Sequence, residues 1–104
     1  MTTSASQLYK KISKYDSFVS KEDIKKAYNF SKKAHSNQFR GSGEEYFTHP
    51  VAVANYLTEM KLDASSIITA LLHDVVEDCE ITVQNIKDEF GSEIAKLVDG
   101  VTKL

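Results

Sequence analysis

The sequence predicts an all-α fold, a bundle of about five to six helices. Proline occurs once and glycine four times in 104 residues, so helix-breaking residues are scarce. Apolar residues recur three and four positions apart, as on one face of a helix, and no segment has the alternating pattern of a strand. A chain of this length is one domain at most, so we expect residues 1–104 to form a single unit.

Side chains that can accept a hydrogen bond from a free backbone amide mark the predicted helix starts. In chain order they are Ser20, Thr48, Asp63, Thr82 and Ser92. Ser20 with Asp23 three residues later resembles a capping box. A first helix over roughly Ser6 to Lys14 precedes them, and the helix capped by Asp63 extends through Asp78.

The helices that begin at Ser20 and Thr48 have predicted apolar faces. The first carries an apolar stripe of Ile24, Ala27, Tyr28, Ser31, Ala34 and His35. The loop from Gln38 to Tyr46 contains two glycines that interrupt the helical spacing. The second helix has Pro50 in its first turn and extends to about Met60. Its predicted apolar set is Val51, Ala54, Tyr56 and Leu57.

The segment from Ala70 to Asp78 places four ionisable residues inside an apolar helix. At helical spacing His73, Asp74 and Glu77 share one face, and Asp78 lies one turn beyond Asp74. Buried charges without partners are costly, so we expect a metal, cations or water in a cleft to satisfy them. The functional interpretation starts from this segment.

A metal is one interpretation of the histidines. Two imidazoles and a carboxylate suit manganese, iron, zinc or cobalt better than calcium or magnesium, and His49, His73 and Asp74 form the most natural triple. The alternative is that a histidine beside an acid is only an ion pair. We assign His35, which lies on an apolar stripe, to the core as a hydrogen-bonded residue.

Four other polar residues have two interpretations each. Glu77 and Asp78 are either solvated residues at a helix end, or Glu77 reaches a water on the metal as a base or proton shuttle. Arg40 is either solvated in its loop or binds a base or phosphate. Tyr46 is as compatible with core packing as with a binding surface.

Composition excludes some partners. With 13 basic and 15 acidic residues the net charge is −2, which gives no general attraction for nucleic acid or an anionic membrane. The basic residues concentrate in the first forty positions, an asymmetry that would suit a small anionic ligand. No apolar run approaches the length of a membrane span. A single cysteine, Cys79, cannot form an internal disulfide, so we expect a cytoplasmic protein.

Several motifs resemble the amino-terminal hydrolase domain of the RelA/SpoT enzymes, members of the HD superfamily that handle guanosine tetra- and pentaphosphate. The motifs are His49-Pro50, the segment Ala70 to Asp78, and the closing segment Leu97 to Leu104. The loop before His49 is also similar to that family's segment. The resemblance spans roughly Lys21 to Leu104 and implies an HD-type helical bundle.

The resemblance also implies roles for individual residues. The metal, usually Mn²⁺, would be held by His49, His73 and Asp74. Glu77 and Asp78 would assist the attacking water, and the nucleotide side of the cleft would include Arg40, Ser42 and Tyr46. The reaction would hydrolyse the 3′-pyrophosphate of guanosine tetra- or pentaphosphate, giving GDP or GTP and pyrophosphate. A metal lowers the pKa of bound water and stabilises charge on phosphoryl oxygens.

Two departures from the family pattern affect this expectation. Gly41 stands where the family usually has a second basic residue after the loop arginine. The chain also ends before the aspartate that supplies the family's fourth metal ligand, so we expect the C-terminal part of the module to be missing. The alternative function is an inactive remnant that pairs with itself as a homo-oligomer, or with a longer relative that supplies the missing helices.

Overall fold

The structure is a computed structural model that describes residues 2–103, so Leu104, the end of the closing motif, lies outside it. Six α-helices follow one another within that range. They are α1 (Ala5–Ser13), α2 (Lys21–Ala34), α3 (Thr48–Glu59), α4 (Ala64–Asp78), α5 (Val83–Phe90) and α6 (Ser92–Thr102). The predicted all-α bundle is confirmed.

Three of the predicted caps are confirmed. The Asp63 carboxylate accepts a hydrogen bond from the Ser66 amide at 2.9 Å, and the Ser20 hydroxyl oxygen accepts one from the Asp23 amide at 3.2 Å. Thr82 caps α5 through a capping box completed by the side chain of Asn85. Local sequence therefore fixes the starts of α2, α4 and α5.

The predicted cap at Thr48 is wrong. The N-cap of α3 is Phe47, and the Thr48 hydroxyl donates to the Glu45 carbonyl oxygen at 2.9 Å. Phe47 is buried, and its ring packs edge-on against Tyr28 with centroids 5.0 Å apart. Core packing of an aromatic ring, rather than a side-chain acceptor, thus sets the start of α3.

The predicted cap at Ser92 is also wrong, by one residue. Gly91 ends α5 and is the N-cap of α6, so Ser92 is already helical. The backbone of Gly91 has φ 92°. Glycine adopts this left-handed conformation without a Cβ clash, which allows one residue to join the two helices.

Helix α4 lies at the centre of the bundle and packs against α2, α3 and α6. Its buried apolar residues are Ile67, Ile68, Ala70, Leu71, Leu72 and Val75. The stripe on α2 faces the core as predicted, with Ala34 only half-buried. In α3, Val51 and Ala54 are buried but Tyr56 is 62% exposed. The apolar assignment of Tyr56 is wrong because a residue two positions after Ala54 points to the opposite side of a helix.

None of the helices within residues 2–103 has both the length and the apolar character needed to cross a membrane.

Candidate metal centre

Two packed helices bring His49, His73 and Asp74 together. His49 lies in the first turn of α3, whereas His73 and Asp74 lie in the second half of α4. His73 Nε2 is 3.1 Å from Asp74 Oδ1, and His49 Nε2 is 3.7 Å from Asp74 Oδ2. The three potential ligand atoms all lie within 4.8 Å of one another. The structure therefore assembles the triple that the sequence analysis selected.

A backbone hydrogen bond determines how the His73 ring is presented. His73 Nδ1 lies 2.7 Å from the carbonyl oxygen of Ala70, one turn earlier on α4. Because a carbonyl oxygen only accepts, Nδ1 carries the proton in this contact and donates. In a neutral ring Nε2 then has a free lone pair directed at the Asp74 carboxylate. Two electron-rich atoms at 3.1 Å repel each other unless a proton or a cation lies between them.

The donor set fits a transition-metal ion. Two ligand atoms, each about 2.1 Å from one ion, lie about 3.0 Å apart at a right angle and about 3.4 Å apart at a tetrahedral angle. The separation of 3.1 Å between His73 Nε2 and Asp74 Oδ1 falls between these values, and the separation of 3.7 Å between His49 Nε2 and the other oxygen, Asp74 Oδ2, is slightly longer. Asp74 is only 7% exposed, so its charge needs a partner inside the protein. These residues can therefore hold a divalent metal.

Tyr46 connects this triple to the end of α4. Its hydroxyl donates towards Asp78 Oδ2 at 2.9 Å and lies 3.2 Å from Asp74 Oδ2. Burial, the hydrogen bond to Asp78 and the nearby carboxylate charges raise the pKa of Tyr46. The hydroxyl therefore keeps its proton at neutral pH and acts as a donor. Tyr46, which the sequence left open between core packing and a binding surface, lies beside Asp74 of this triple.

A small buried network supports the Tyr46 ring. The His35 ring lies against it, with centroids 4.9 Å apart and an interplanar angle of 31°. His35 is buried, as predicted, and its Nδ1 is 3.1 Å from Gln38 Oε1. Gln38 Nε2 in turn donates to the backbone carbonyl of Asp78 at 3.0 Å. The network thus joins the end of α2 to the end of α4.

Sequence reasoning missed Gln38 and Cys79 as parts of this network. The Cys79 thiol donates to the Ala34 carbonyl at 3.2 Å and lies 3.5 Å from His35 Nδ1. Burial is the main cause of its raised pKa. Gln38 lies in the loop after α2 and Cys79 is the C-cap of α4, and no local pattern signals that they meet.

The two predicted catalytic acids occupy different environments. Asp78 contacts the triple of His49, His73 and Asp74 indirectly, through the Tyr46 hydroxyl. Glu77 is exposed, and within residues 2–103 its side chain forms no hydrogen bond. Both acids are exposed to solvent, and they differ in that the Asp78 carboxylate accepts a hydrogen bond from Tyr46.

A cavity of about 640 Å³ opens beside His49. Arg40, Glu44, Glu45, Thr48 and Asn55 are among its lining residues. Arg40 is exposed and the lining includes two acids, so the surface is not uniformly basic. Of the predicted nucleotide-side residues, Arg40 lines this cavity, whereas Tyr46 faces the carboxylates.

Ser42 lies in the turn of the loop before α3, away from the lining of this cavity. The turn is closed by the Arg40 amide, which donates to the Glu44 carbonyl at 2.8 Å, and by the Gly43 amide, which donates to the Arg40 carbonyl at 2.8 Å. Ser42 is exposed to solvent between them. Ser42 thus shares a turn with Arg40 but does not line the cavity that Arg40 lines.

Known proteins match the part of the chain that contains His49, His73 and Asp74. A family model described as an HD domain matches residues 27–104, so the chain belongs to the HD domain family. It is 52% identical over 93 residues to a GTP pyrophosphokinase of Myxococcus xanthus, covering 89% of this chain and 12% of the relative. The predicted resemblance to RelA/SpoT enzymes is confirmed by this family match together with the SpoT relative described next.

Two further relatives carry names that refer to hydrolysis. A guanosine-3′,5′-bis(diphosphate) 3′-pyrophosphohydrolase of Vibrio cholerae is 51% identical over 83 residues, covering 80% of this chain and 12% of the relative. The bifunctional (p)ppGpp synthase/hydrolase SpoT of Escherichia coli is 52% identical over 81 residues, covering 78% of this chain and 12% of the relative. The chain therefore spans about 12% of the length of these relatives.

Proposed function

We propose that this chain acts as a metal-dependent guanosine 3′,5′-bis(diphosphate) 3′-pyrophosphohydrolase. It would convert guanosine tetraphosphate to GDP and pyrophosphate, and the pentaphosphate to GTP and pyrophosphate. The observation that carries the proposal is the convergence of His49, His73 and Asp74 from two helices within 4.8 Å. The names of the relatives support the choice of substrate.

We propose Mn²⁺ as the metal, held by His49, His73 and Asp74. A mixed nitrogen and oxygen set suits this class of ion, although iron, cobalt and zinc have similar preferences. When bound, the metal would lower the pKa of the attacking water and neutralise charge on the phosphoryl oxygens.

The chain's own residues supply the remaining steps in this proposal. Asp78, fixed by the Tyr46 hydroxyl, accepts the proton of the attacking water, and the solvent-exposed Glu77 passes that proton to bulk water. Arg40 binds phosphate oxygens at the cavity beside His49. Ser42 and Tyr46 complete the nucleotide side, with Ser42 reached by a substrate that extends along the loop.

We also propose that residues 1–104 act as one unit in the cytoplasm. The single cysteine is consistent with a reducing compartment.

The test is pyrophosphate release from guanosine tetraphosphate, with bound metal quantified in the same sample. The expected result is Mn²⁺-dependent release that disappears in Asp74→Asn, because the amide that replaces the carboxylate is a poor metal ligand. Glu80→Gln changes an exposed acid beyond the end of α4 and should behave as wild type. Release no faster than in buffer, with the metal bound, would reject the proposed activity.

A second candidate function is an interaction module, and an apolar groove favours it. The groove measures about 320 Å³ and lies between α3, α4 and α6. Its apolar lining is Val53, Leu57, Ala70, Leu97 and Val101. Leu97 is 41% exposed and Val101 42% exposed. Sedimentation should then detect association that Leu97→Lys abolishes, and a monomer at all concentrations would count against self-pairing.

A further inference from the structure

We infer that Tyr46 is a positioning residue whose hydroxyl couples the ligand candidate Asp74 to the base candidate Asp78. The inference rests on the proposed function and deepens it, because it gives Tyr46 a role separate from substrate contact. Two observations carry it, namely the placement of one hydroxyl between two carboxylates and the fixation of its ring.

One hydroxyl serves two carboxylates. The Tyr46 oxygen lies 2.9 Å from Asp78 Oδ2 and 3.2 Å from Asp74 Oδ2. A phenol has a single proton, so it cannot donate fully to both oxygens at once. The carboxylate that receives the smaller share faces an electron-rich oxygen at short distance.

A cation at Asp74 would ease this competition. It would neutralise part of the Asp74 charge, so the Tyr46 hydroxyl would donate more strongly to Asp78 while its contact still orients Asp74. Asp74 and Asp78 are one turn apart on α4, where like charges repel. Metal occupancy at Asp74 and the placement of Asp78 are therefore linked through a single oxygen.

The rings of His35 and His49 lie against the Tyr46 ring and support the position of its hydroxyl. The His35 ring packs against it at 4.9 Å, and the His49 ring approaches it at 6.1 Å with an interplanar angle of 66°. Gln38 ties His35 to the carbonyl of Asp78, the residue that the hydroxyl contacts. His35 and Gln38 thus support both the hydrogen-bond donor, Tyr46, and the residue that accepts from it, Asp78.

The test compares wild type with Tyr46→Phe, which removes only the hydroxyl and keeps the ring. Calorimetric titration with Mn²⁺ alone should show about 10- to 100-fold weaker binding, the usual effect of removing a partner of a metal ligand. At saturating Mn²⁺, kcat should fall while KM for guanosine tetraphosphate stays within about twofold, because the substrate contact is kept. Tyr56→Phe, at an exposed tyrosine of α3, is the matched control and should leave both quantities unchanged.

A double-mutant cycle with Asp78→Asn separates coupling from a general loss of structure. If the hydroxyl acts through Asp78, the effects of Tyr46→Phe and Asp78→Asn on kcat should be clearly less than additive. Additive effects, or Mn²⁺ binding by Tyr46→Phe as tight as in wild type, would overturn the inference. A raised KM with unchanged Mn²⁺ affinity would overturn it in favour of substrate contact. A wild-type protein that binds no Mn²⁺ would overturn the proposed function itself, and this inference with it.

Discussion

His73 Nδ1 lies 2.7 Å from the carbonyl oxygen of Ala70, three residues earlier on the same helix. This contact belongs to the folded helix itself, so the ring is oriented by the protein before any ligand arrives. It turns Nε2 towards Asp74 and fixes the tautomer suited to metal binding. The candidate centre is thus partly preorganised by local backbone geometry.

Replacing His73 with asparagine should separate folding from metal binding. The asparagine amide can still donate near the Ala70 carbonyl, but it has no equivalent of Nε2. Thermal unfolding of wild type with Mn²⁺ at a hundred times Kd should show a gain of about 2.7 kcal/mol over the metal-free protein. His73→Asn should show almost none of this gain, whereas Glu80→Gln should show all of it. An equal gain in His73→Asn would remove His73 from the ligand set.

The Asp63 cap of α4 should contribute to stability in a pH-dependent way. Hydrogen bonds from the Ser66 side chain and backbone hold the pKa of Asp63 below its usual value of 3.8. A lowered folded-state pKa means that the contribution is complete above pH 3.8 and is lost as pH falls through the folded-state value. Asp63→Ala should cost about 1 kcal/mol in urea unfolding at pH 7 and less at strongly acidic pH.

Asp63→Asn is the control for this cap. Asparagine accepts the same amide hydrogen bond without a charge, so it should stay close to wild type at pH 7 and lack the acid-dependent change. A cost for Asp63→Ala that does not vary with pH would show that the carboxylate charge contributes nothing.

Leucine-to-alanine substitutions at Leu71 and Leu97 compare a buried with a partly exposed position of the same residue type. Leu71 is fully buried in α4, whereas Leu97 on α6 is 41% exposed. Leu71→Ala leaves a cavity in the core and should cost about 2–5 kcal/mol in the free energy of unfolding. Leu97→Ala should cost less than about 1 kcal/mol by the same urea titration. Equal costs would mean that α4 is not the centre of the core.

Cys79 should react slowly with alkylating reagents in the folded protein. Burial raises the pKa of its thiol, so less of the reactive thiolate is present at pH 8 than in an unfolded chain. Mass spectrometry after iodoacetamide treatment should show faster modification in urea than in buffer. Similar rates in both conditions would mean that the contact of the thiol with the Ala34 carbonyl does not persist in solution.

The sequence predicted the features that depend on neighbours a few residues away. Caps at Ser20, Asp63 and Thr82 were found because capping is a contact over three residues. Thr48 failed as a cap because packing of Phe47 against Tyr28, 19 positions earlier on α2, sets the start of α3. That contact has no local signature.

The residues of the candidate site also fall into two groups, those placed by local helical spacing and those placed by long-range contacts. Helical periodicity by itself placed His73 and Asp74 on one face of α4 and Asp78 one turn beyond Asp74. Only the tertiary structure decided that His49 reaches Asp74, that Tyr46 lies between Asp74 and Asp78, and that Ser42 faces solvent. These relationships depend on how α3 and the preceding loop pack on α4, which is fixed by long-range contacts rather than by the period of one helix.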